Sequence, residues 1–147
     1  MTAPPTAMPS ILAPAGNRAA FLAALAAGAD AVYCGLKSLS ARMEAKNFSL
    51  DELAQLTALA HERNVRVYVT MNTLVKPDEV DRAGQLVDGL ARHVRPDALI
   101  VQDLGMVALA RQAGFEGELH LSTLANVSFP RAVGFIADNL PVARVVV

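Results

Sequence analysis

The sequence predicts an α/β fold: parallel (β/α) repeats, with six strands and five helices forming an incomplete TIM-like barrel. Three observations predict it. Short apolar runs alternate with longer segments of helical composition along the chain, the beat of a parallel sheet with crossover helices. Several of the runs are almost continuously apolar, as strands covered on both faces require. No G-x-G-x-x-G follows the first strand, which weakens a doubly wound dinucleotide-binding sheet against part of a barrel.

The first strand is ILAP at 11–14. The helix after it has Asn17 as N-cap, Ala, Leu and Phe inside, and Gly28 as a left-handed stop. DAVYC at 30–34 is the second strand. Residues 35 to 48 then form a polar connection far longer than the usual 2–6 residues. Ser49 and Glu52 form a capping box, and Phe48 with Leu53 a hydrophobic staple, so a helix starts there and runs to about Arg63, with Asn64 at the stop. VRVYVTMN at 65–72 is a strand rich in β-branched residues. A third helix runs from about Pro77 to His93, with proline where the first turn tolerates it. DALIVQD at 97–103 is a strand, followed by a helix to Gly114. ELHLST at 118–123 is a strand, followed by a helix from Ser128 to Asn139. ARVVV at 143–147 is the sixth strand.

Bulk properties exclude several classes. A chain of 147 residues is one domain by length, and 53% hydrophobic content is that of a packed globule. The net charge of −1 gives no whole-chain attraction to nucleic acid or anionic membrane. No apolar run approaches about 18 residues, so no membrane-spanning segment is expected. MTAPPTAMPS has neither the basic leader nor the apolar core of a signal peptide, and residues 1–10 read as a disordered tail before a domain at 11–147. The lone Cys34 excludes an internal disulfide and fits a cytoplasmic location.

In a (β/α) barrel, active-site groups sit where strands end and loops begin. Those ends carry Gly16 and Asn17, then Asn72, then Gln102 and Asp103, then Ser122, Thr123 and Asn126. The long loop leaves from the same rim and brings Arg42 and Asn47. These ten residues are the candidate substrate-binding set, against plainer roles for each. Asn17 is a helix cap, Asp103 stands where it would cap the next helix, and Arg42 with Asn47 would tie down their own loop. His120 and Ser122 face one side of a strand but sit about 6.5–7 Å apart along the backbone, poor geometry for a nucleophile–base pair. His61, His93 and His120 share no metal-binding spacing, and no H-E-x-x-H is present. Cys34 ends an apolar strand and reads as a small core residue.

LAPAGN at 12–17, GADAVYCG at 28–35, SAR…NFSLDEL at 40–53, YVTMNTLV at 68–75, DALIVQDLG at 97–105 and HLSTLANVS at 120–128 occur in one order and spacing. Together they resemble the amino-terminal part of the collagenase-like peptidases, family thirty-two of the peptidases of unknown mechanism. The resemblance implies a barrel-like catalytic domain in longer members, followed by a cysteine-rich segment that in several holds a [4Fe–4S] cluster. It implies peptide hydrolysis, or hydroxylation of RNA or of ubiquinone precursors. No cofactor is expected within this chain, which the resemblance makes the front part of the catalytic domain. Expected partners are a peptide, RNA or small-molecule substrate, and a second copy or the remaining barrel strands at exposed sheet edges. A non-catalytic binding or assembly module is the other reading.

Overall fold

The computed structural model describes residues 9–37 and 48–147. The strands are β1 (Leu12–Ala15), β2 (Ala31–Gly35), β3 (Arg66–Met71), β4 (Ala98–Val101), β5 (Glu118–Leu121) and β6 (Arg144–Val145). Between them run α1 (Arg18–Ala26), α2 (Leu50–Glu62), α3 (Val80–Gly89), α4 (Gly105–Gln112) and α5 (Pro130–Asn139). All strand pairs are parallel and the sheet order is β1-β2-β3-β4-β5-β6.

That sequential order fits a barrel sector, because a doubly wound sheet reverses direction at a switch point. The packing agrees. One parity of strand residues, including Val32, Cys34, Val67, Val69, Met71, Leu99, Val101, Leu119 and Leu121, shares a single core with Phe21, Leu53, Leu56, Val87, Met106 and Ile136 of the helices. The alternate parity forms a separate cluster of Ala31, Tyr68 and Ala98 with Tyr33 and Ile100. The helices therefore cover one face, and the other is the inner face of the curled sheet.

Local chemistry explains the element ends. Asn17 Oδ1 accepts the Ala20 amide at 2.9 Å, and Gly28 stops α1 at φ +80°. Ser49 Oγ accepts the Glu52 amide at 3.3 Å. Phe48, buried to 1%, packs edge-on against Phe21 at 6.1 Å, so the staple residue joins the core. Asn64 takes the left-handed stop after α2 at φ 57°.

Several expected bounds shift. The third helix is not one regular helix to His93. It opens as a 3₁₀ turn at Pro77–Glu79, continues as α3 and ends in a π-helical turn at Leu90–Val94, closed by Arg95 at φ 55°. The wider turn keeps both Leu90 and Val94 buried. The last helix starts at Pro130 instead of Ser128, because proline occupies its first turn. β6 is ordered over Arg144–Val145 alone. The tail expected at 1–10 falls mostly on residues 1–8, outside the described residues.

Candidate functional site

The carboxyl ends of the strands surround a cavity of about 350 Å³ on the inner face. Leu12, Pro14 and Gly16 come from β1 and its exit, Tyr33 and Gly35 from β2, and Thr70 and Asn72 from β3. Ile100 comes from β4, Ser122 and Thr123 from the β5 exit, and Val146 from beyond β6. Both edge strands thus contribute to one cavity, which requires the sheet to curl. Among the described residues, no side chain lining the cavity is charged. Its polar groups are hydroxyls and an amide, set among apolar walls and the ring of Tyr33.

Of the candidate set, Gly16, Asn72, Ser122 and Thr123 line this cavity. Ser122 is buried, and its Oγ accepts the Leu124 amide at 3.2 Å, capping a 3₁₀ turn at Thr123–Ala125. Asn17 is the exposed cap of α1. Gln102 is half-buried and does not line the cavity. Asp103 is a tie between loops: Oδ2 accepts the Val75 amide at 3.2 Å and Oδ1 the Gly105 amide at 2.9 Å. Asn126 is exposed in the left-handed conformation that ends the 3₁₀ turn. Arg42 and Asn47 lie outside the described residues. The ends of their loop do meet at the rim, where Leu36 bridges Phe48 in parallel and the Phe48 amide donates to the Gly35 carbonyl.

Reading strand ends alone misses Tyr33 and Ile100, and Thr70, though at the end of β3, stands outside the candidate set. The missing signal is parity. Counting back two residues from Asn72 gives Thr70, and from Gln102 gives Ile100, both on the inner face. Thr70 Oγ1 also donates to the Cys34 carbonyl at 3.2 Å, tying β3 to β2 at the cavity wall.

Below the cavity, the inner face holds a buried histidine with its own hydrogen-bond partner. His120 is 1% exposed. Its Nε2 lies 2.7 Å from Glu118 Oε2, and its ring meets Tyr68 edge-on at 4.9 Å. The Arg66 guanidinium sits over the Tyr68 ring at 6.0 Å. Burial pushes the His120 pKa down; the hydrogen bond to Glu118 opposes this, while Arg144 and Arg66 add to it. His120 is engaged below and Ser122 above as a cap, so the two do not form a nucleophile–base pair. His61 is held by Asp97, whose Oδ2 lies 2.9 Å from His61 Nε2 and accepts the Val67 amide at 2.7 Å.

A family model described as peptidase family U32 matches residues 16–147. This chain belongs to peptidase family U32. Among curated relatives it is 39% identical over 121 residues to an uncharacterized protease of Methanocaldococcus jannaschii, covering 82% of this chain and 29% of that protein. It is 32% identical over 138 residues to a collagenase of Porphyromonas gingivalis, covering 91% and 33%. It is 37% identical over 128 residues to the 23S rRNA 5-hydroxycytidine C2501 synthase of Escherichia coli, covering 87% and 19%. The chain thus spans a third or less of the length of these U32 relatives. The solved U32 peptidase Mk0906 superposes with a TM-score of 0.72 at 15% identity, over 99% of this chain and 60% of that one. That likeness is one of fold.

The [4Fe–4S] cluster implied for longer U32 members does not suit the residues present. Such a cluster takes about four thiolates. This chain has one cysteine, and Cys34 is buried on the helix side of the sheet with its thiol pushed up to about 12 by desolvation. No three His, Cys, Asp or Glu side chains converge as a metal site among the described residues. No helix among them is long and apolar enough to cross a membrane.

Proposed function

We infer that this chain forms the substrate-holding part of an RNA-hydroxylating enzyme of family U32, with the inner-face cavity receiving the reacting base. One observation carries the reading: the cavity walls formed by the described residues are uncharged, faced by the Tyr33 ring and edged by Thr70, Asn72, Ser122 and Thr123. A flat neutral ring with hydrogen-bonding edges matches such walls, by stacking and by edge contacts. The engagement of Ser122 as a cap and of His120 by Glu118 weighs against hydrolysis by these two groups. The similarity to a 23S rRNA 5-hydroxycytidine synthase and to a tRNA hydroxylation protein of Helicobacter pylori, 37% identical over 118 residues, supports the same reading.

The second reading is peptide hydrolysis, favoured by the similarity to the Porphyromonas gingivalis collagenase. Nucleoside analysis of rRNA and tRNA from a strain lacking this gene separates the two. Under the first reading a hydroxylated nucleoside disappears. It returns with the wild-type gene and not with a variant combining Asn72→Ala and Ser122→Ala. An unchanged nucleoside profile together with lost peptide cleavage would overturn it.

A further inference from the structure

The geometry points to His120 as a specificity-determining residue that sets the depth of the inner-face cavity, withheld from it by Glu118. The registers place Thr70, Ile100, His120 and Arg144 on one level of the inner face. Thr70 and Ile100 at that level line the cavity, and His120 does not. Its ring instead leans one level toward the amino-terminal ends of the strands, where Tyr68, Ala98 and Glu118 lie in register. Two contacts hold it there, the 2.7 Å hydrogen bond to Glu118 and the edge-on packing against Tyr68. Ala98 makes the lean feasible, because a small side chain between Tyr68 and Glu118 lets the rings from β3 and β5 meet over β4.

The consequence concerns what fits above. With the imidazole held down, Ile100 and Thr70 form the cavity floor. Without Glu118 as acceptor, the buried ring loses its partner and gains by turning toward the hydroxyls of Ser122 and Thr70. The cavity would then become shallower. Removing the imidazole would make it deeper. This inference concerns the floor alone and rests on the proposed function in taking nucleobase rings as the occupants of the cavity.

The test uses uracil and adenine as one-ring and two-ring neutral probes, followed by NMR shifts of the Thr70, Ile100 and Ser122 amides. His120→Ala should raise adenine affinity relative to uracil by about tenfold, the scale at which pocket volume discriminates ligands. His120→Asn, which keeps a donor for Glu118 in a smaller side chain, should move the ratio the same way and guards against misfolding of the alanine variant. Glu118→Ala should weaken both probes and move nuclear Overhauser contacts of the His120 ring from Tyr68 to the Thr70 and Ile100 methyls. Glu118→Gln, retaining an acceptor oxygen, should restore the wild-type pattern. An unchanged ratio in folded His120 variants, a ring that stays on Tyr68 in Glu118→Ala, or no response to either probe in any variant would overturn the inference. The nucleoside profile is unaffected by these outcomes, so the proposed reaction stands or falls separately.

Discussion

Thr57 shows how a single atom sets an expectation. Its side chain is 1% exposed in α2, and its Oγ1 has no hydrogen-bond partner among the described residues. A buried hydroxyl without a partner loses its hydration and receives nothing in return. Thr57→Val keeps the shape and removes the polar atom. It should raise stability by about 1 kcal/mol, read from the urea midpoint; a lower midpoint would mean the hydroxyl is bonded in solution. Cys34 gives a second expectation at the same scale. Its thiol is buried and its pKa is raised to about 12, so almost no thiolate exists at pH 8. Iodoacetamide should therefore label this single cysteine only in urea, with mass spectrometry as the readout. Rapid labelling of the native protein at pH 8 would contradict the packing described for β2.

Elements are held by residues that double as connectors, and this is where sequence was most and least informative. The starts of α1 and α2 were legible because a cap and a staple are local chemistry: Asn17 and Ser49 each accept an amide three residues on, and Phe48 stands five residues before Leu53. Phe48 also packs on Phe21 and pairs with Leu36, so it ties α2 to α1 and to the end of β2. Phe48→Ala should cost about 3–5 kcal/mol, more than a surface cap would, with differential scanning calorimetry as the check. Asp103 is ambiguous in sequence between substrate-binding rim residue and helix cap. Its Oδ1 serves the first amide of α4, as the cap reading expects, while its Oδ2 serves the Val75 amide on another loop, a partnership no local pattern could reveal. Asp103→Ala should lower stability by about 1–2 kcal/mol, because it strands the Val75 amide and uncaps the Gly105 amide. The π-helical turn at Leu90–Val94 was illegible for a similar reason, since burial of both Leu90 and Val94 is a tertiary demand.

At the scale of the whole molecule, the alternation of strands and helices made the parallel sheet readable, but not what fills its inner face. The polar set of Arg66, Glu118, His120 and Arg144 is spread over three strands and meets only once the sheet is paired in register. Its effect on folding can be signed. Burial is the main cause that holds the His120 pKa below its ordinary value of 6.5, with Arg144 and Arg66 adding to it against the pull of Glu118. The unfolded chain therefore binds this proton more readily than the folded one, and stability rises with pH wherever that difference exists. The contribution is complete above pH 6.5 and is lost progressively as pH falls from there through the folded-state pKa. Urea midpoints taken in steps from pH 7.5 to 5.0 should fall in the wild type. In His120→Gln, which cannot titrate, the same series should be flatter across that window. Equal slopes would mean that the pH dependence comes from other groups and that His120 takes up its proton without leaving the inner face.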